Sequence, residues 1–418
     1  MAQDITSILQ ILKEKHLGPA LKTWYFGVPE LQMFDKRPPE GFGGKTYLQS
    51  LYTKPNESAG PRAEGALLPV ADVEDYQQLS IPRTHYYARG TVTGPAISAA
   101  SSAADRLLDM MMAKTDGVLD SIRNRLSQHF YGDGTAALAN VVAGTLSTTQ
   151  ASVDSVKYLR VGMPINIGQS DGTNAEDTTI TAITPATATA AAILTYSTIA
   201  AAPVAGTDVV YPVGASATGG AGTALTYNRA IDGLSKIVDD NNVYAGITRS
   251  TSTDWANSTV RNASAGLTPD FVWDILNELR TRGGGLVNSM PAANKLQRYI
   301  MLCSNETFRA VGNMFYASRI WNDNIRKISG IVSAFDMDGV DVVWTRNCPK
   351  TDAYIIDREH MHWLEEESIN MSDMTGSIWQ QDDDLDQFQC WAKWRGNLYT
   401  SLPNVHARLT NIPITSYY

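Results

Sequence analysis

Four short motifs carry the residue types that could do chemistry. Gly43-Gly44-Lys45-Thr46 ends like a phosphate-binding loop, in which backbone N–H groups cradle phosphate and a lysine neutralises it. The full pattern needs glycine at 39, where Pro39 stands, and a buried strand ahead of it, so the segment reads as a glycine turn. Gly168-Gln169-Ser170-Asp171-Gly172 has the GxSxG spacing of an exposed nucleophilic serine. That chemistry needs a strand-to-helix turn beside an oxyanion hole. Here short apolar strands flank the motif, and Asp171-Gly172 reads as a hairpin turn.

His360-Met361-His362 would place two imidazoles on one strand face, with Glu359 and Glu365 nearby, but a metal site needs further ligands. Asp382-Asp383-Asp384-Leu385-Asp386 has the alternating carboxylates of a calcium loop. It lacks the sharp-turn glycine, being Gln387 there, and carries Lys393 where the bidentate glutamate belongs. Cys303, Cys348 and Cys390 are far apart with no CxxC pair, which reads as reduced, buried thiols in a cytoplasmic setting. No nucleophile, base and orienting group assemble from these residues. The expectation is no catalytic residue, no metal and no cofactor.

The charge is concentrated. The chain has 418 residues and a formal net charge of −9, and residues 352–386 hold eleven carboxylates against Arg358 alone. The remainder is near neutral, so no cluster of Lys and Arg offers a grip on phosphate, and ordinary nucleic-acid binding is rejected. No apolar run is long enough to span a bilayer, and Met1–His16 reads as a short amphipathic arm through Ile5, Ile8, Leu9 and Leu12, not a signal peptide.

The elements that must position these residues follow from spacing. Ten Gly or Pro residues between 38 and 69 forbid a helix and permit short strands with turns, and Gln78–Val92 alternates like a strand. Ala104, Leu107, Leu108, Met111, Val118, Ile122, Leu126 and Phe130 repeat at the helical period, so a long helix is expected over 98–131, capped by Ser98 or Ser101 and ended by Gly132-Asp133-Gly134. Only seven of the 76 residues at 151–226 are charged, and short apolar stretches alternate there with turn signals, predicting a small all-β insert. Thr268-Pro269-Asp270 starts a helix, and Tyr299–Cys303 is a buried strand leading into a helix capped by Ser304. Val340–Trp344 and Ala353–Ile356 are strands, and Ser377–Ile412 predicts a long antiparallel hairpin. The class is α+β.

In this order the parts resemble a tailed-bacteriophage major capsid protein of the Hong Kong 97 type, over nearly the whole chain. Local phrases agree: Ala230–Leu234 followed by Tyr244–Ile247 and Trp255, Gly339–Trp344 leading to Tyr354–Asp357, then Trp394–Leu398 and Ala407–Leu409. The resemblance implies an N-terminal arm at 1–35, an extended E-loop at 36–94, and a peripheral P-domain from 95–135 and 365–418. It implies an axial A-domain from 136–150 and 227–364, and an accessory domain at 151–226. It further implies contacts between copies through Ile8 and Leu12 of the arm and Tyr47, Leu48, Leu51, Lys54, Arg62 and Leu67 of the E-loop. The implied partners are further copies in hexamers and pentamers, separate scaffolding and portal proteins, a cement or decoration protein, and double-stranded DNA enclosed without specific binding. No membrane is involved. The implied location is the virion, assembled in the host bacterial cytoplasm, with no N-terminal trimming.

Two other readings were weighed. A bacterial encapsulin-like nanocompartment shell shares the fold but usually lacks a large β insert. A carbohydrate-active enzyme would use carboxylates of 352–386 in a cleft, about 5–10 Å apart.

Overall fold

The computed structural model describes residues 30–38, 46–54, 56–58, 60–61, 64, 72–100, 104–169, 176–186, 191–212, 230–250, 255–282, 299–317, 334–337, 340–372, 377–382 and 385–413. Ile8, Leu12, Arg62 and Leu67, and the expected cap Ser101, lie outside them. Two compact units divide the chain: residues 1–122 with 236–418, and residues 123–235.

The strand Gln387–Thr400, with 14 residues, organises a five-stranded sheet in the first unit. Met361–Met371 pairs antiparallel along one edge of it and Thr84–Thr93 along the other. Asp35–Arg37 adds a parallel strand outside Met361–Met371, and Gln380–Gln381 makes a short hairpin with Phe388 and Gln389. Strand alternation puts Cys390, Ala392 and Trp394 on one face, and all three are buried. Gly90 lies opposite Cys390 in this ladder. A Cβ there would stand 2.8 Å from a Val118 methyl of the long helix, so the missing side chain is what admits that helix against the strand.

The expected terminal hairpin over Ser377–Ile412 is not formed. Alternation identifies a strand but not its partner: the long partners of Gln387–Thr400 are Met361–Met371, just upstream, and Thr84–Thr93, far upstream, not the chain's last segment. Ala407–Thr410 leaves for a second sheet, where it lies between Thr259–Asn262 and Ala353–Asp357. The expected helix over 98–131 is also corrected. Gly94–Ala100 is already helical, so Ser98 lies inside a helix and does not cap one, and the long helix runs Ala104–Phe130. Its stripe Val118, Ile122, Leu126 and Phe130 is buried as the period predicts.

The second sheet has six strands, in the order Thr259–Asn262, Ala407–Thr410, Ala353–Asp357, Tyr299–Cys303, Val340–Trp344 and Ala334–Met337. Val272, Ile275, Leu276 and Leu279 of the helix Pro269–Arg282, with Val311 of the helix Asn305–Ala317, pack on its Met301, Val342, Ile355 and Leu409. Both helices start where the caps predict. Phe271 N donates to Thr268 Oγ1 at 3.2 Å and Thr307 N to Ser304 Oγ at 3.2 Å. Nearby, the buried Arg249 guanidinium donates to the carbonyls of Lys236, Ile237 and Asp239 and to Asn242 Oδ1, pinning that turn without any carboxylate.

In the second unit, Ala139–Leu146, Gln150–Val153, Pro164–Gln169, Glu176–Thr184, Ala192–Tyr196 and Asp208–Pro212 close into a barrel. Val141, Ala151, Ile165, Ile180, Leu194 and Val210 fill it. The β module was expected to begin at 151, and it begins at Ala139. The strand Ala139–Leu146 closes the ring by pairing with both Gln150–Val153 and Asp208–Pro212. The charge-free run in fact begins at Gly134, right after Asp133, and already takes in this first strand. Segment 136–150 therefore belongs to the barrel, not to the sheets of the first unit.

Among the described residues, no helix is long and apolar enough to cross a membrane. Gly90→Val is expected to lower stability by about 1–3 kcal/mol through overpacking against Val118. Thermal melting checks it, and Gly117→Ala, which opens onto empty space, is the control expected to be near neutral or stabilising.

Candidate functional site

The acidic band and the glycine-rich arm are the two features that the sequence singles out, and the structure brings them together. Glu365, Glu366 and Glu367 are consecutive on the strand Met361–Met371, where a regular strand would send alternate side chains to opposite faces. A break in register falls between Glu365 and Glu367, and another between Glu367 and Asn370. Bulges of this kind re-aim side chains. The result is three carboxylates serving three different elements.

Glu365 meets Lys36 of the parallel strand at 2.7 Å and accepts from Trp394 Nε1 at 3.0 Å. Glu366 meets Arg83 at 2.5 Å and accepts from the Tyr47 hydroxyl at 3.5 Å. Glu367 meets Lys393 at 2.6 Å and Arg395 at 3.5 Å. Farther along, Asp382 pairs with Arg89 at 3.1 Å, and Asp352 with Arg408 at 2.6 Å. Five of the band's eleven carboxylates are thus matched to separate cations, and among the described residues these five do not converge on one another. Partly exposed pairs of this kind contribute little each, typically below about 1 kcal/mol. Their role here is to fix which element lies beside which.

The arm is a two-stranded ladder, Thr46–Lys54 against Asp75–Pro82, in register from Thr46 opposite Pro82 to Tyr52 opposite Tyr76, with a shift before Lys54 opposite Asp75. One face carries Leu48, Tyr52 and Tyr76, exposed by 61%, 54% and 60%. Tyr52 and Tyr76 lie against each other with ring centroids 5.3 Å apart and planes tilted by 53°. Both rings remain more than half exposed among the described residues. The base of the arm differs: Tyr47, Leu79 and Ile81 are buried, and Ser80 N donates to Ala245 O at 2.8 Å. Ala245 adopts φ 49°, a left-handed backbone that suits glycine, and turns its carbonyl to the arm.

Of the residues expected to contact other copies, Leu48 is solvent-facing, Leu51 is half-buried, and Lys54 is exposed but paired with Asp72 at 3.0 Å. Tyr47 is corrected. It is an anchor inside its own chain, because strand alternation turns it to the face opposite Leu48. The E-loop range is corrected too. Thr84–Thr93 is a full strand of the five-stranded sheet and Asp35–Arg37 lies at that sheet's edge, so the projecting ladder ends at Pro82. Residues the sequence reading missed are Arg83, Arg358, Trp363 and Asn397. Trp363 Nε1 donates to Glu30 O at 3.2 Å, Arg358 to Met33 O at 3.3 Å, and Asn397 Nδ2 to Pro82 O at 2.8 Å. The last three recognise backbone carbonyls, which leave no motif, and Arg83 pairs with Glu366 across 283 residues.

The chemical motifs separate. His360 Nδ1 lies 3.1 Å from Ser401 Oγ, and its Nε2 lies 3.9 Å from the buried Asp357 carboxylate, too long for a hydrogen bond. His362 is buried one residue beyond Met361, its ring 5.6 Å from that of Tyr399. Among the described residues, no group of three His, Cys, Asp or Glu side chains is placed to hold a metal ion. The three cysteines are buried and free, and burial pushes the Cys303 and Cys390 thiols up.

No protein-family model matches the chain, and no curated protein sequence matches it. Solved structures do. The capsid asymmetric unit of cyanophage A-1(L) aligns with a TM-score of 0.57 at 13% identity, covering 96% of this chain and 98% of that one. The capsids of the empty and native GTA particles align with TM-scores of 0.52 and 0.51 at 10% and 9% identity, each covering 97% of this chain and 96% of theirs. The chain has the fold of these capsid proteins, the α+β Hong Kong 97-type fold that its sequence layout resembles.

His362 makes the site sensitive to acid. Burial, and secondarily the charge of Arg37, pushes its pKa down to about 4, against opposing pulls from Asp35 and Asp357. The unfolded chain would bind that proton near the ordinary value of about 6.5. Between these values the unfolded state holds more protons, so stability falls as pH drops from about 6.5 to about 4 and this contribution stops changing below that. His362→Gln is expected to make this limb shallower in denaturant titrations run across the pH window, the remainder coming from His129, whose burial pushes its pKa down to about 3, while His360→Gln leaves it largely intact.

Proposed function

We propose that the chain is a major capsid protein that self-assembles, through hexamers and pentamers, into an icosahedral shell around the double-stranded DNA of a tailed bacteriophage. The observation that carries this reading is the arm: a ladder bearing Leu48, Tyr52 and Tyr76 outward, on a chain whose whole length follows a capsid fold. A two-stranded ladder is marginal alone in water. In a shell its exposed face packs on a neighbouring copy, and one weak contact repeated over many copies adds up.

On this reading the segments before Asp35 are a further arm. The five-stranded sheet with the long helix is the peripheral domain, and the six-stranded sheet is the axial domain whose tips meet at the symmetry axes. The barrel is an accessory domain. Leu48, Leu51 and Lys54, together with Ile8, Leu12, Arg62 and Leu67, contact other copies. Separate scaffolding and portal proteins complete the assembly in the host cytoplasm, and a decoration protein is a candidate for the outer surface. The charge pattern supports enclosure of DNA without a grip on it, since the cations Lys36, Arg83, Arg89, Lys393, Arg395 and Arg408 are already matched to carboxylates of their own chain. No catalytic step is assigned.

Purified protein, alone or with a co-expressed scaffold, is expected to form closed shells visible by negative-stain imaging. Leu48→Asp combined with Tyr52→Asp is expected to abolish them while changing thermal stability by no more than about 0.5 kcal/mol, as for ordinary surface changes. Shells that form equally well with both substitutions would remove the arm from the assembly mechanism.

A further inference from the structure

The inside of the barrel changes character at one end. On the strand Pro164–Gln169, Ile165 and Ile167 belong to the apolar core, and alternation makes Gln169 the next residue on that face. Asp208 stands opposite Gln169, on the same face of its strand as the core residue Val210. Glu176 stands opposite Ile167 and so faces inward as well. Directly opposed residues are about 5 Å apart at Cβ and diagonal ones about 7–8 Å, which puts Gln169 within side-chain reach of both carboxylates. The phenol of the buried Tyr196 marks the same spot: burial, then the charges of Asp208 and Glu176, push its pKa up.

The same two acids tie down the connection between the last two barrel strands. Glu176 accepts from the backbone N–H groups of Ala200 and Ala201, and Asp208 Oδ2 accepts from Val204 N at 2.8 Å. Ile199 and Pro203, beside these ties, are buried. Asp208 is left only 7% exposed, and its Oδ1 has no hydrogen-bond partner among the described residues. Among those residues neither acid forms an ion pair, whereas the five matched acids of the band each meet Lys or Arg. A charge taken out of water is costly unless it is paired or coordinates a metal.

We propose that this end of the barrel binds a divalent cation of the calcium class, held by the Asp208 and Glu176 carboxylates and the Gln169 amide oxygen, with water completing the shell. Calcium takes about six to eight oxygen ligands in flexible geometry, amide and water oxygens included, so a third acid is not required. The donors are all oxygen, with no imidazole or thiolate to favour zinc or copper. Magnesium demands a near-ideal octahedron and gives up its water reluctantly, which suits this irregular set less well. The ion neutralises the two acids and, through them, fastens residues 199–207 over the barrel end. The site lies within one unit of a single chain and does not rest on the shell reading.

The test uses the full-length protein, stripped with EDTA and titrated with calcium chloride by calorimetry, with amide exchange read before and after. Saturable binding is expected, with exchange slowed at 199–207 and unchanged on the acidic strand Met361–Met371. Asp208→Asn and Glu176→Gln keep an acceptor for the backbone ties and remove one ligand charge; each is expected to weaken binding at least about tenfold. Asp382→Asn, in the acidic band, is expected to leave it unchanged. Absence of both heat and slowed exchange at millimolar free calcium would overturn the inference. So would binding that Asp208→Asn and Glu176→Gln leave intact, or protection gained only along 352–386, since the ion would then sit on the band. Magnesium chloride at the same concentration is expected not to slow 199–207, and equal slowing would overturn the assignment to calcium. If either variant loses barrel protection in EDTA, the parent decides: slowing centred on 199–207 supports the site, and slowing elsewhere refutes it.

Discussion

The pairing of Met361–Met371 with Gln387–Thr400 is the contact on which the first unit depends. It lies in the middle of the five-stranded sheet, and every neighbouring element is attached to one of these two strands. Their inner faces bury Trp363 and Trp394 edge to face, with centroids 5.9 Å apart. That is a large apolar contact with a geometric preference of its own. The irregular register next to it converts a run of three glutamates from a repulsive stripe into three separate attachments. Without the bulge, Glu365 and Glu367 would share a face and compete for the same cations.

This explains why an acidic segment can sit inside an ordered sheet. The sequence shows eleven carboxylates against one base within 352–386, which suggests an exposed acidic edge. The structure supplies cations for five of these carboxylates from other segments: Lys36, Arg83 and Arg89 from the N-terminal part, and Lys393, Arg395 and Arg408 from the C-terminal part. Charge balance in this protein is a property of tertiary pairing, invisible in any window along the chain.

Much of the remaining fold was legible because it rests on local signals. The helical period, the Thr268 and Ser304 caps and the alternating strands of the barrel are set by residues a few positions apart, and they appear where those residues place them. Partner choice was not legible. The first barrel strand at Ala139 lies in the uncharged run 134–153 but before the span expected for the module, and Gln387–Thr400 pairs with Met361–Met371 and Thr84–Thr93 instead of with the chain's last segment. Tyr47 shows the limit most sharply for the site. Its type suits an interface, but parity along the strand decides that it faces inward while Leu48 faces out.

The separation between paired strands also orders events during synthesis. Asn397 and Pro82 are 315 residues apart, so the sheet that bears the arm stays unfinished until nearly the entire chain has left the ribosome. At about 5–20 residues per second, that is a delay of roughly 15–60 s after Pro82 emerges. The barrel has all six strands between Ala139 and Pro212 and closes on itself well before then. A ring without free edges offers no template to its neighbours on a crowded polysome. The early-folding part of the nascent chain is therefore the part least able to stick to others, and the exposed ladder gains its footing only after Asn397 has been made.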